Sequence, residues 1–254
     1  MDLKLKGKSA LVTGGSTGIG SGISEHLAAE GIDVAVNYIV DEQQVLQFVE
    51  TLNTTYGVNC IAVYGDVSKP EDNDAMVEQA LDAYGKIDIL VNNAGIWPTE
   101  NMIEMPDENW MRVINICLNG PYLLSKRVVK SMIARNMKGV IINVSSKSAF
   151  QCNTGGHGHY TTAKAGLNMM TRSLAREISQ YGIRVVGIAP GMVRTPINED
   201  KWKDSGLMDQ YLERIPAGRF AEPIEMGYLT AFLASDCAAN FTGTTLDTTG
   251  GMLI

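Results

Sequence analysis

The chain reads as an α/β protein on three observations. Short β-branched or apolar runs alternate with longer stretches of helical periodicity, the runs lack a polar face, and no repeat or Pro/Ser-rich linker divides the 254 residues. Strands without a polar face belong in a sheet covered on both sides, and regular alternation of β and α makes that sheet parallel. The expectation is a single domain over residues 1–254, a doubly wound parallel sheet of about seven strands with helices on both faces.

The first run, residues 10–13, leads into Gly14-Gly15-Ser16-Thr17-Gly18-Ile19-Gly20 and then into a helix with apolar positions at Ile23, Leu27 and Ala28. Glycines at a strand-to-helix turn remove the Cβ atoms that would hold a pyrophosphate away from backbone N–H groups. The turn is therefore read as a phosphate cradle and the fold as Rossmann-type. A second run at 34–37 precedes a helical stretch at 41–56, and a third at 60–64 precedes one at 70–84. The fourth run is 87–92, and Asp107 opens a long helical stretch at 107–135. Residues 140–145 end beside adjacent serines, Ser145 and Ser146, ahead of a helix at 160–181. Runs at 184–188 and 244–248 flank a helix at 222–235 announced by the Glu222-Pro223 step.

At 45% hydrophobic, 19% charged, 26 Gly and 8 Pro, the composition excludes disorder and collagen-like repeats. No apolar run approaches a bilayer span, so no membrane partner is expected. The first eight residues alternate charge with Leu and carry no signal-peptide core, which makes the cytoplasm the default location. Cys60, Cys117, Cys152 and Cys237 lie far apart without a CxxC pair, so reduced thiols are expected, with neither structural zinc nor a disulfide framework. A net charge of −7 offers no basic footprint for nucleic acid.

TGGSTGIG at 13–20, NNAG at 92–95, YTTAK at 160–164 and PGMVRT at 190–195 follow one another over essentially the whole chain. Together they resemble the short-chain dehydrogenase/reductase family. Within it, Thr195-Pro196-Ile197-Asn198 and the turn at 215–219 resemble bacterial sugar 1-dehydrogenases of the glucose dehydrogenase type. The resemblance implies hydride transfer between a carbinol or hemiacetal carbon and a nicotinamide cofactor. It also implies a homotetramer joined through the helical stretches 107–135 and 160–181.

Tyr160 and Lys164 stand four residues apart at the head of a helix, on one face. A phenol of pKa about 10 is a poor base at neutral pH, and an ammonium beside it favours the phenolate, so the pair reads as an activated base. The resemblance gives Lys164 a second task, holding the nicotinamide ribose, and assigns to Ser146 a hydrogen bond to the substrate oxygen. Ser146 lies fourteen positions before Tyr160, one more than the commonest family spacing, so Ser145 and Ser148 stay open as substitutes. A second departure is Cys117, which stands where the family usually carries an active-site asparagine. Asn115 and Asn119 sit roughly 200° around the helix from it, and a thiol cannot replace an amide in a water relay. The relay would then use water or backbone alone.

By the resemblance, Gly14, Ser16, Thr17, Gly18, Ile19 and Gly20 cradle the cofactor, Tyr38 ends the second strand, and Asp66 and Val67 cap the adenine pocket. Asn92, Asn93, Ala94 and Gly95 would line its path, with Ile188, Pro190, Gly191, Val193 and Thr195 near the nicotinamide beside Tyr160 and Lys164. Tyr38 occupies the position where NAD-specific relatives carry Asp, and Ile39 the one where glucose-dehydrogenase-like relatives often carry Arg. No Lys or Arg occurs between Lys8 and Lys69, and Asp41 and Glu42 would repel a 2′-phosphate, so NAD is favoured over NADP with dual use left open.

Loops at 147–159 and 196–218 would cover the substrate. Lys147, Ser148, Gln151, Asn153, His157 and His159 offer hydrogen bonds to several hydroxyls, which suits a sugar or polyol better than a steroid or acyl chain. Ser146, Ser148, Gln151 and Tyr160 are the substrate-binding candidates. The His157/His159 pair lacks a third ligand, so no metal is expected, and Trp97 and Trp202 are left without a role. The alternatives are a reductase of a ketone or 3-oxoacyl substrate, and a catalytically weak cofactor-binding interaction protein. The second is prompted by Cys117 and the displaced serine and opposed by the intact Tyr160 and Lys164.

Overall fold

The computed structural model describes residues 2–152, 155–196 and 205–254. Strands β1 (Ser9–Val12), β2 (Asp33–Tyr38), β3 (Ile61–Tyr64), β4 (Ile89–Asn92), β5 (Gly139–Val144), β6 (Ile183–Pro190) and β7 (Thr245–Thr248) build one sheet. All are parallel, in the order β3-β2-β1-β4-β5-β6-β7. Helices α1 (Gly18–Ala29), α2 (Glu42–Tyr56), α3 (Pro70–Tyr84), α4 (Asp107–Ile114), α5 (Gly120–Ala134), α6 (Gly158–Ile178), α7 (Ser205–Leu212) and α8 (Pro223–Ala234) connect them.

Successive strand residues point to opposite faces, so an unbroken apolar strand feeds two cores. In β1, Ala10 and Val12 pack with Ile23 and Leu27 of α1, Val45 and Leu52 of α2, and Met226 and Ala231 of α8. Leu11 points the other way, to Met76 and Ala80 of α3, Leu124 and Val128 of α5, and Ala175 and Ile178 of α6. Chain order runs outward from β1 on one side and from β4 on the other. The loops leaving these two strands therefore diverge and open a crevice at their C-terminal ends, where such sheets bind ligands.

Two expected boundaries change. α2 begins at Glu42, because Asp41, at φ +57°, is its cap and accepts the Gln44 N–H at 3.1 Å. The expected helix at 107–135 is two helices, α4 and α5, joined by a π-turn at Asn115–Asn119 in which the Gly120 N–H reaches back to Asn115 O. Pro121 supplies the reason: it has no N–H for the carbonyl four residues back, and its ring crowds that carbonyl, so the turn widens.

Beneath the crevice a buried polar string ties four elements. Asn92 Nδ2 donates to Asn143 Oδ1 at 2.8 Å and to Ser125 Oγ at 3.0 Å; Asn143 Nδ2 donates to Thr171 Oγ1 at 2.9 Å, and Thr171 Oγ1 to Leu167 O at 2.9 Å. Such groups are costly to bury alone and stiffen the floor of the site when paired. Among the described residues no helix is long and apolar enough to cross a membrane.

Candidate active site

A cavity of about 260 Å³ opens over the C-terminal ends of β1, β4, β5 and β6. One end is the glycine turn, lined by Gly14, Thr17, Gly18 and Ile19. Thr13 Oγ1 accepts the N–H groups of Asn93 and Ala94 at 2.9 and 3.0 Å, Asn93 Nδ2 donates to the carbonyls of Thr13 and Gly14 at 2.9 and 3.0 Å, and Asn37 Oδ1 accepts the Gly14 N–H at 3.0 Å. Loop and β4 are thus locked together. A Cβ on Gly20 would overlap the Gly14 carbonyl oxygen, so only glycine lets the loop close beneath α1. The Thr17 side chain does not cap α1, and its first turn carries no acid, so the helix offers open N–H groups and a positive dipole end to the cavity. These residues fit a pyrophosphate. Ser16 and Gly20 shape the turn without lining the cavity.

The three residues expected around the adenosine, Tyr38, Asp66 and Val67, stand at the ends of β2 and β3, outside the cavity. The Tyr38 and Tyr64 rings meet edge to face at 5.7 Å. Burial and the hydrogen-bonded Glu42 carboxylate raise the Tyr38 phenol above its ordinary pKa, which places an acid beside this ring. Asp66 Oδ1 accepts from the N–H and hydroxyl of Ser68 at 2.9 and 2.7 Å, closing the turn that leads to α3.

Ser146, Tyr160 and Lys164 meet on the cavity wall. Both adjacent serines line the cavity; Ser145 Oγ donates to Lys164 O at 3.4 Å, and Ser146 Oγ accepts the Ser148 N–H at 3.1 Å. The extra residue of spacing is taken up by the connecting loop. Lys164 Nζ donates to Val144 O at 2.7 Å and lies 5.6 Å from the Tyr160 ring centroid. Burial pushes the Tyr160 phenol up, with the Cys117 thiol adding to the rise and the Ser146 hydrogen bond opposing it; burial pushes the Lys164 amine down. Desolvation thus outweighs the lowering expected of the Lys164 ammonium, whose Nζ is turned to the Val144 carbonyl.

Cys117 is fully buried on the π-turn, with Sγ 3.6 Å from Ile96 O. A Cβ built on Gly95 would lie 3.6 Å from Cys117 Sγ and 3.7 Å from Lys164 Nζ, so the thiol stands beside the ammonium. The π-turn does not bring an amide to the site, since Asn119 Nδ2 donates to Asn115 Oδ1 at 2.7 Å away from it.

Asn93, Ala94, Gly95, Pro190, Gly191, Val193 and Thr195 line the cavity, but Asn92 and Ile188 do not. Asn92 is committed to the buried string and Ile188 to the core, each pointing to the other side of the pleat. Ser148 lines the cavity, whereas Gln151 is corrected: its Nε2 donates to Met252 O at 3.0 Å, tying the loop to the C-terminal segment. The two histidines part company. His157 stacks on Trp97 at 4.5 Å with Nδ1 2.8 Å from Pro98 O, and His159 is buried in α6. Asn153, Asn198, Trp202 and part of the loop at 196–218 lie outside the described residues. Among the described residues no three metal-ligating side chains converge. Ile96, Trp97, Lys147 and Met192 also form the wall. Adjacency was the available signal for two of them, since Trp97 follows NNAG by one residue and Lys147 follows Ser146 directly.

A family profile described as enoyl-(acyl carrier protein) reductase matches residues 14–253, a span that contains the glycine turn and all the residues meeting in the cavity. The chain belongs to the short-chain dehydrogenase/reductase family. It is a nicotinamide-dependent oxidoreductase acting on CH–OH groups. Among its relatives in this family, 3beta-hydroxysteroid dehydrogenase 1 of Eggerthella lenta is 39% identical over 98% of this chain and 95% of its own. Glucose 1-dehydrogenase 2 of Bacillus subtilis is 38% identical over 98% and 96%. The crystal structure of L-sorbose reductase from Gluconobacter frateurii, complexed with NADPH and L-sorbose, superposes with a TM-score of 0.92 at 35% identity, covering 100% and 99% of the two chains.

Proposed function

We propose that this short-chain dehydrogenase/reductase interconverts a secondary alcohol or hemiacetal of a sugar or polyol with its carbonyl form, using Ser146, Tyr160 and Lys164. The observation that carries the proposal is the meeting of Ser146, Tyr160 and Lys164 on one wall of the cavity that also holds the glycine cradle. The hydroxyl-rich names of two relatives, glucose and L-sorbose, support the substrate class, as do Ser148 and the polar loop around it. The chain is read as one domain, with the loops 147–159 and 196–218 over the substrate. A cytoplasmic homotetramer through α4, α5 and α6 is part of the proposal, and the exposed Met111, Tyr122 and Met169 on these helices support it.

When bound, the nicotinamide accepts or returns the hydride at the carbinol carbon. Tyr160 takes the hydroxyl proton as hydride leaves, and Ser146 donates a hydrogen bond to the same oxygen, fixing its position between two hydroxyls. Lys164 would hold the nicotinamide ribose and favour the phenolate electrostatically. Cys117 beside Lys164 hydrogen-bonds only weakly, so a proton relay beyond Lys164 would be left to water or backbone. A panel of sugars, polyols and secondary alcohols, read by absorbance of the reduced cofactor, tests the reading. Turnover confined to steroid or acyl substrates would overturn it.

NAD is the proposed cofactor, although two structural relatives were solved with NADP or NADPH. The support is local charge: the Glu42 carboxylate helps raise the Tyr38 phenol, Asp41 caps α2, and no Lys or Arg occurs between Lys8 and Lys69. The expected result is a higher kcat/KM with NAD than with NADP. Ile39→Arg, at a half-exposed position, should shift that ratio toward NADP by giving the 2′-phosphate a charge-assisted partner. A wild-type preference for NADP would refute the charge argument.

Cys117→Ala should change kcat little, since it removes one weakly bonding atom. Cys117→Asn places an amide in a fully buried setting and should cost roughly 1–3 kcal/mol of stability unless water satisfies it there. Tm and saturating kcat of both variants form the check. Loss of most activity in Cys117→Ala at unchanged Tm would give the thiol a catalytic role.

A further inference from the structure

The substrate part of the cavity wall carries positive charge that hydride transfer does not use. Lys147 lines the cavity directly after Ser146, on the short helical turn Lys147–Ala149 that Ser146 caps, and is half-buried. Among the described residues no carboxylate stands within ion-pair distance of it or of Arg214, which is exposed two residues beyond α7. The chain has 28 acidic residues against 21 basic ones, so an unpaired cation in a partly desolvated wall is not for want of acids. Burial disfavours the charged form of Lys147, and the nearby positive charge of Arg214 disfavours it further. A cation desolvated in this way with a like charge in its neighbourhood is a cost, and an anion arriving at Lys147 offsets it. Exposed Arg219 shows the contrast: its guanidinium pairs with Glu225 at 2.6 Å.

We propose that Lys147 forms an anion subsite at the substrate end of the cavity, with the charge of Arg214 supporting it from outside the wall, so that the preferred substrate is an anionic polyhydroxy compound. The inference rests on the oxidoreductase reading for the chemistry at the carbinol, but not for the charge. A carboxylate, as in a sugar acid, and a phosphate ester of a sugar share the required chemistry. The anion sits apart from the reacting carbon, because Ser146 and Tyr160 hold the carbinol oxygen while Lys147 meets the tail. Lys147 and Arg214 are then specificity-determining residues.

The test compares glucose, gluconate and glucose 6-phosphate as substrates of the whole enzyme with saturating cofactor, in wild type, Lys147→Met, Lys147→Arg and Arg214→Ala. Wild type is expected to favour one anion over glucose by about tenfold or more in kcat/KM, the carboxylate and phosphate arms telling the two sources apart. Lys147→Met should collapse that ratio mainly through KM, Lys147→Arg should restore part of it, and the cofactor KM should not follow. Equal use of neutral and anionic substrates, or a Lys147→Met effect that scales all three alike, would overturn the proposal. The same ligands are also tested for a rise in Tm with the reduced cofactor present. An anion-specific rise that Lys147→Met abolishes supports the subsite even if none of the three turns over, in which case the sugar reading alone falls; no anion-specific rise and no anion preference overturns the subsite.

Discussion

Tyr160→Phe should keep the fold and the affinity for reduced cofactor while lowering kcat by about two to four orders of magnitude. The ring remains to pack in the small cluster with Val113, Cys117 and Ala163, so the scaffold loses only one hydroxyl. That hydroxyl shares the cavity wall with Ser146, and the groups left around it cannot take its place. Ser146 is bonded to the Ser148 N–H and ionises too weakly, and Lys164 is held on Val144 O with its nitrogen 5.6 Å from the ring centroid. Saturating kcat, with cofactor binding measured separately by fluorescence, is the check. Retention of more than about a tenth of the wild-type kcat would remove Tyr160 from the base position.

Gly20→Ala should damage cofactor binding before it damages chemistry. The added Cβ would overlap Gly14 O and crowd Asn93 Nδ2, and neither can move freely. Gly14 is held by Asn37, and Asn93 clamps the carbonyls of Thr13 and Gly14. The loop must open, which costs roughly 1–3 kcal/mol of packing and displaces the α1 N–H groups from the pyrophosphate. The expected result is a lower Tm and a Kd for NADH raised about tenfold or more, with kcat at saturating cofactor affected less. Gly155→Ala, whose new Cβ meets nothing within 4 Å, is the stability control. An unchanged Kd in Gly20→Ala would show that the pyrophosphate does not sit on this turn.

Much of the scaffold was legible because its causes are local. Apolar runs such as Val34–Val36 and Val140–Ile142 can be buried only in a two-faced sheet, and their alternation with amphipathic stretches leaves few topologies. The glycine turn was legible for the same kind of reason, because a close backbone approach has one residue type that permits it. The break at Asn115–Asn119 escaped because the flanking residues keep helical periodicity, and Pro121 marks only where strain arises, not how the helix absorbs it.

Within the site, residue type was set by sequence and direction by packing. A list of motifs cannot tell Asn92 from Asn93, since neighbours in an extended chain point to opposite sides of the pleat. Which member faced the cavity depended on partners far along the chain, Asn143 and Ser125 holding Asn92 away from it. Gln151 looked like a substrate ligand until the C-terminal segment supplied its acceptor 101 residues away. The proton affinities of Tyr160 and Lys164 were likewise beyond reach of spacing, because burial shifts them and burial comes from the assembled core. By itself the sequence determined the α/β order, the glycine cradle and the inventory of hydroxyl, phenol and amine, which follow from local sterics and hydrophobic period. Only the tertiary structure decided which of those groups share a cavity and which charges go unpaired there, as those depend on contacts between residues remote in the chain.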